Sequence, residues 1–256
     1  MIYFPNCKIN IGLNIIEKRQ DGYHNIETLF YPISLSDILE IRPKDDGNTC
    51  LTISGLPIET KSIDDNLCIK AYNLLKKDFP NLPQVNMHLH KIIPMGAGLG
   101  GGSSDATYTL KLLNYLFSLD LKDEDLENYA RCLGSDCAFF IYNIPVYAFN
   151  KGDNFIPTKL SLKGKTILLI KPDIFISTKE AYSNISPKKE EINLLNIIEE
   201  LPINQWRYFI KNDFEASVFP KHKEFQRIKD KLYDIGAMYA QMSGSGSTIY
   251  GLFDKE

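Results

Sequence analysis

PMGAGLGGGSSDA, residues 94–106, decides how this chain is read. Residues 94–104 hold five glycines and two serines between a strand pattern and a helix pattern. Glycines let a backbone come close to a ligand and turn its N–H groups toward it. A helix that starts at such a loop adds the positive end of its dipole. Together they predict a cradle for phosphate anions. A flexible surface linker is the bland alternative, but linkers seldom sit so tightly between two strong elements.

Named phosphate loops fit unequally. Gly96-Ala97-Gly98-Leu99-Gly100-Gly101 fits G-x-G-x-x-G, the dinucleotide fingerprint. Yet Pro94 and Met95 separate it from the strand, and about ninety residues come first where that fingerprint usually opens a fold. A protein-kinase loop would carry Val at 103, which is Ser103, and neither H-R-D nor D-F-G occurs. Gly164-Lys165-Thr166 imitates the end of a Walker loop, but the required first glycine is Lys159, so Gly164 reads as a turn.

Working outward, Val85 to Ile92 alternates as a strand, with His88 and His90 on its polar face. The histidines lack a third ligand in sequence and read as solvent-facing. Asp64-Asp65-Asn66 starts a helix through LCIKAYNLLKKDF. Cys7 to Ile16 alternates Ile9, Ile11, Leu13 and Ile15 with Lys8, Asn10, Gly12 and Asn14, predicting a strand with one buried face. Leu29 to Ile41 is strand-rich, with Pro32 expected to break it. After the loop, Ala106, Leu110, Leu113 and Phe117 mark an amphipathic helix. Leu126–Leu133 is a short helix stopped by Gly134, and Ser135-Asp136 reads as the cap of another, CAFFIY. Then come strand 145–149, turn 151–154, strand 166–171, helices near 178–184, 190–200 and 222–235, and a hairpin around Met242–Ser247. The domain junction is placed at the turn, giving domains 1–153 and 154–256.

Composition excludes several classes. Hydrophobic residues are 44% and charged residues 24% of 256, so the chain can bury a core and is no disordered tail, collagen or disulfide miniprotein. A net charge of −3 supplies no basic face for nucleic acid. The five scattered cysteines, with no C-x-x-C, read as reduced thiols of a cytoplasmic protein. No basic segment followed by an apolar one suggests a signal peptide, and no apolar run suggests a membrane span. Oligomeric state is not encoded legibly.

The order of pieces resembles one superfamily. Pro94 to Ser104 resembles the P-x-x-x-G-L-G-[GS]-S-S loop of the GHMP kinases. Lys8-Ile9-Asn10-Ile11, Asp21-Gly22-Tyr23-His24 and Leu133–Phe140 resemble the branch acting on a cytidine diphosphate alcohol, 4-diphosphocytidyl-2-C-methyl-D-erythritol. Met242–Ser247 is similar to the superfamily's third motif. The resemblance runs from residue 8 to 253. It implies an α+β fold with a ribosomal-S5-like N-terminal domain and a ferredoxin-like C-terminal one. It implies ATP-dependent phosphorylation of the 2-hydroxyl of that alcohol, in non-mevalonate isoprenoid synthesis.

The implied roles fall on particular residues. Asp136 would be the catalytic base and Lys8 its cationic partner. Asn66, Lys91 and the whole loop (Pro94, Met95, Gly96, Ala97, Gly98, Leu99, Gly100, Gly101, Gly102, Ser103, Ser104) would bind ATP. His24 would read the cytosine edge between the rings of Tyr23 and Tyr182, with Asn10 and Thr178 as further substrate contacts. Mg²⁺ would accompany ATP, with Ser104 as a possible ligand and no glutamate partner identifiable. Phosphoryl transfer needs a positioned hydroxyl, a proton acceptor and fixed positive charge, which these residue types supply. Stacking does not choose among bases, so a hydrogen-bonding residue such as His24 is needed beside the rings. Each residue also has an ordinary reading: an N-cap for Asp136, a wet-face lysine for Lys8, a loop histidine for His24, a plain hairpin loop for 243–247. Homoserine or mevalonate kinase, a Rossmann oxidoreductase on residues 96–101, and a non-catalytic nucleotide-binding regulator are the rival functions.

Overall fold

The computed structural model describes residues 1–58, 62–183, 185–188 and 193–255. In chain order the elements are β1 (Ile2–Tyr3), β2 (Asn6–Lys18), β3 (His24–Ser36), β4 (Ile38–Pro43), β5 (Cys50–Gly55), α1 (Leu67–Asp78) and β6 (Val85–Lys91). The helices α2 (Gly101–Leu116), α3 (Asp123–Leu133) and α4 (Phe139–Tyr142) follow, then β7 (Val146–Phe149), β8 (Asn154–Pro157) and β9 (Lys165–Ile170). The chain continues through α5 (Thr178–Tyr182), α6 (Leu194–Glu200), α7 (Trp206–Phe209), α8 (Asp213–Val218) and α9 (Lys223–Asp234) to the hairpin β10 (Tyr239–Met242) and β11 (Ile249–Asp254). Residues 184 and 190–192 of the two helices expected near 178–184 and 190–200 lie outside the described residues. No helix among the described residues is long and apolar enough to cross a membrane.

Two compact units form, and neither is contiguous. The first comprises Met1–Lys8, Pro32–Met95 and Gly100–Ile144; the second comprises Ile9–Tyr31, Gly96–Leu99 and Pro145–Glu256. The single boundary expected at 153/154 does not describe this packing. Two changeovers, after Lys8 and after Tyr31, fall inside β2 and β3, strands of 13 residues each. The turn chosen as the junction instead closes a hairpin, with Phe149 opposite Asn154, inside the second unit.

In the first unit the sheet order is β1-β4-β6-β5. β6 runs antiparallel to β4 (Leu39 opposite Leu89) and parallel to β5 (Leu51 opposite Met87). The parallel pair is joined through α1, whose Cys68, Ala71, Tyr72 and Leu75 are buried at helical spacing. Asn66 caps α1, its Oδ1 accepting from Cys68 N at 2.9 Å. This mixed sheet, with its glycine loop following a strand flanked antiparallel and parallel, is not the parallel sheet that the dinucleotide reading requires.

In the second unit β9, β10 and β11 form an antiparallel sheet in the order β10-β11-β9, and β3 pairs with β7. Leu13, Ile15, Phe214, Val218, Phe225 and Ile249 belong to one buried cluster there. β2 departs from expectation in being buried on both faces: Lys8, Asn10 and Asn14 are 3%, 2% and 7% exposed. Its polar positions are covered and bonded; Asn10 N donates to Ser243 Oγ, and Gly12 N to Gln241 Oε1. Pro32 stays within β3, and the break comes at buried Asp37 instead.

Candidate active site

Lys8 and Asp136 meet in the first unit, with Lys8 Nζ 3.2 Å from Asp136 Oδ2. The lysine side chain is 4% exposed and the aspartate 34%. Burying a cation is costly unless it is paired, so the lysine commits the carboxylate to one place. Asp136 is not a helix cap: α4 has Ala138 at its N-cap with no side-chain bond. The turn 135–138 is held by α2, where the Thr107 hydroxyl donates to Cys137 O at 2.8 Å and to Ser103 O at 2.9 Å. Burial pushes the neighbouring Cys137 thiol up to about 12, so it stays protonated at neutral pH. Sequence reasoning missed Thr107, because a threonine inside a helix carries no signal of its partner.

The glycine stretch divides between loop and helix. Gly96, Gly98 and Gly100 have φ of 59°, 74° and 70°, left-handed values that favour glycine. Gly100 is the N-cap of α2 and makes no side-chain cap. Gly101, Gly102, Ser103 and Ser104 therefore belong to the first turn of a 16-residue helix rather than to a loop. Its first N–H groups and the dipole end favour an anion. Pro94 is half-buried and Met95 exposed, while Ala97 and Leu99 are each 2% exposed and anchor the loop. Ser104 Oγ is buried without a hydrogen-bond partner in the first turn.

Lys91 differs from expectation. Its ammonium is sealed inside the first unit, paired with Asp37 and lying 2.7 Å from Asp105 Oδ2. That charge is held by two buried carboxylates. Asp37 Oδ1 also accepts from Ile92 N at 2.5 Å and Ile93 N at 2.8 Å. The triad thus ties the strand that enters the glycine loop to the helix that leaves it. Two carboxylates share one lysine, and burial pushes Asp105 up to about 7.

On the second unit, His24 stacks on Tyr182 with ring centroids 4.4 Å apart and planes 19° apart. Phe214 meets Tyr182 edge-on at 4.8 Å. The resemblance implies a base held between the rings of Tyr23 and Tyr182 with His24 at its edge; here the His24 ring itself stacks on Tyr182. Tyr23 is 60% exposed, with Lys151 Nζ 5.5 Å from its ring centre. Burial, and then the nearby Lys18 charge, hold His24 below the ordinary histidine range, so its ring is neutral at pH 7. Thr178 is exposed one helical turn before Tyr182 on α5. Asn10 is buried, donating from Nδ2 to Thr28 Oγ1 at 3.0 Å. His88 is exposed and His90 half-buried; both bond the Ser54 hydroxyl. No group of three or more metal-binding side chains occurs among the described residues.

Sequence profiles of the GHMP kinases N-terminal domain and C-terminal domain match residues 66–143 and 190–256. The chain belongs to the GHMP kinases. The 4-diphosphocytidyl-2-C-methyl-D-erythritol kinase of Bacteroides thetaiotaomicron is 54% identical, covering 100% of this chain and 93% of its own length. A crystal structure of 4-(cytidine 5'-diphospho)-2C-methyl-D-erythritol kinase superposes with a TM-score of 0.83 at 29% identity, over 98% of this chain and 90% of the other. Homoserine kinase from Cytophaga hutchinsonii shares the fold alone, with a TM-score of 0.66 at 18% identity over 98% and 86% of the two chains. Among GHMP kinases, then, likeness in sequence as well as in fold lies with the cytidylyl branch. The glycine loop of this GHMP kinase starts the helix whose Thr107 also steadies Asp136.

Proposed function

We propose that this chain transfers the γ-phosphoryl group of ATP to the 2-hydroxyl of 4-diphosphocytidyl-2-C-methyl-D-erythritol, a step toward isoprenoid precursors. Full-length identity of 54% to a kinase of that name carries the reading of the substrate. The Lys8–Asp136 pair is the observation that supports the chemistry. In this reading Asp136 orients the acceptor hydroxyl and takes its proton as the bond to phosphorus forms. Transition states of phosphoryl transfer are loose and need little base strength, so placement is the larger contribution. Lys8 holds Asp136 in place and supplies fixed positive charge. The N–H groups at the start of α2, with Gly96 to Gly100, receive the phosphates of ATP.

Tyr23, His24, Thr178 and Tyr182 are proposed to receive the cytidylyl part, with Asn10 as a floor contact. A neutral His24 has one donor and one acceptor nitrogen, which suits an edge that carries both kinds of group. Asn66 is proposed beside the adenine. The Ser104 hydroxyl, buried without a hydrogen-bond partner, is the side chain that would hold a Mg²⁺ ion accompanying ATP. Such an ion would neutralise charge on the triphosphate. The deciding experiment is an ADP-release assay with ATP across the cytidylyl alcohol, homoserine and mevalonate. Turnover of the first alone is expected; preference for either other alcohol overturns the reading.

A further inference from the structure

The segment Asn212–Glu215 is not among the expected site residues, yet several bonds converge on it in the second unit. Asn212 is 2% exposed, and its Nδ2 donates to two carbonyls of the closing hairpin, Met242 O at 2.7 Å and Gly244 O at 2.8 Å. Its Oδ1 accepts from Phe214 N and caps α8. Glu215 Oε1 accepts from Met242 N at 2.8 Å, and Asp213 Oδ2 from Ile15 N at 2.7 Å. Both flanks of the hairpin loop's first residue, Ser243, are therefore fixed.

Ser243 in turn holds the glycine loop. Its hydroxyl donates to Gly98 O at 2.8 Å and accepts from Asn10 N at 3.1 Å. Thr248 N donates to Ala97 O at 3.2 Å. A Cβ on Gly98 would overlap the Ser243 carbonyl oxygen, so the backbones touch. The path from Asn212 to the loop's middle residues runs through one hydroxyl and two carbonyls.

We infer that Asn212 is a positioning residue for nucleotide binding, acting through Ser243 to fix the conformation of Ala97 and Gly98. The inference rests on the kinase reading for the identity of the nucleotide. A loop whose N–H groups must point at an anion loses affinity when its conformations multiply, whereas a side-chain cap alone would affect stability only.

The test uses the full chain with Asn212→Ser and, separately, Ser243→Ala. Serine still caps a helix but is too short to donate to both carbonyls. Each variant is expected to raise the KM for ATP, and the Kd of a nonhydrolysable ATP mimic by calorimetry, about tenfold. In Asn212→Ser the Kd of the cytidylyl alcohol measured without nucleotide stays within about twofold; Ser243→Ala also removes the acceptor of Asn10 N, so it is read on ATP affinity alone. The double variant is expected to lose less than the product of the two single losses, because both break one path. Equal weakening of both ligands in Asn212→Ser, or a lowered Tm with unchanged ATP affinity in either variant, overturns the inference. The mimic titration decides this even if the cytidylyl alcohol is not turned over, an outcome that would sink the functional reading alone.

Discussion

Lys8 Nζ approaches Asp136 Oδ2 to 3.2 Å from inside the protein, the lysine sealed and the carboxylate one-third open. The asymmetry matters more than the pairing. A buried ammonium has few ways to move, so the carboxylate that meets it inherits its position. Asp136→Asn keeps the shape and removes the proton acceptor. Turnover is expected to fall about 10²–10⁴-fold while an ATP mimic binds as before. Calorimetry beside steady-state rates checks both halves, and unchanged turnover would take Asp136 out of the reaction.

Lys8→Met tests the cation at nearly constant volume. Turnover should drop about 10²-fold or more, since a preorganised charge is lost at the reacting centre. Wild-type turnover in this variant would leave Lys8 as a packing residue.

Lys91→Met attacks the triad instead. It strands Asp37 and Asp105 in a buried site, and breaking such a set by removing one partner costs about 3–5 kcal/mol. Urea denaturation reads this directly, and a loss below about 1 kcal/mol contradicts the account of the triad.

The same triad gives stability a pH dependence of definite sign. Asp105 is raised to about 7 when folded, against an ordinary unfolded carboxyl near 4. Between those values the folded protein holds a proton that the unfolded chain has released, so this group's contribution is greatest at low pH and is lost as pH rises toward 7. Asp105→Asn should flatten stability between pH 5 and about 7.5. Denaturation midpoints across that range that respond identically in both proteins would refute the assignment.

Tyr23→Ala removes an exposed ring from the proposed cytidylyl site. Stacking is worth about 1–3 kcal/mol per base, so the KM for the alcohol should rise roughly 5- to 150-fold with the ATP KM unchanged. Equal losses for both substrates would argue against the placement.

Much of this was legible in residue order. The glycine loop, helices α1 and α9 and the closing hairpin follow from local periodicity and turn chemistry, which neighbours in sequence determine. Long-range burial was not. Alternation predicts one buried face for β2 and cannot report that Ser243 and Gln241 bond the backbone at Asn10 and Gly12. The carboxylate partners of Lys91 are 54 and 14 residues away and leave no mark in the sequence around it. Local composition alone makes Asp136 a cap, since Ser-Asp before an apolar run caps helices elsewhere, and only the resemblance makes it a base; here Lys8 and the Thr107-bound turn set its place. Asn212 carried no visible signal, since both its carbonyl partners lie about thirty residues on.

The contact between Gly98 and Ser243 joins positions 145 residues apart. The loop at Gly98 can therefore take its bonded form only after Ser243 has been made. A chain cut short of β11 would lose more than that contact, because β11 is the middle strand of the β10-β11-β9 sheet and its Ile249, Tyr250 and Leu252 are wholly buried.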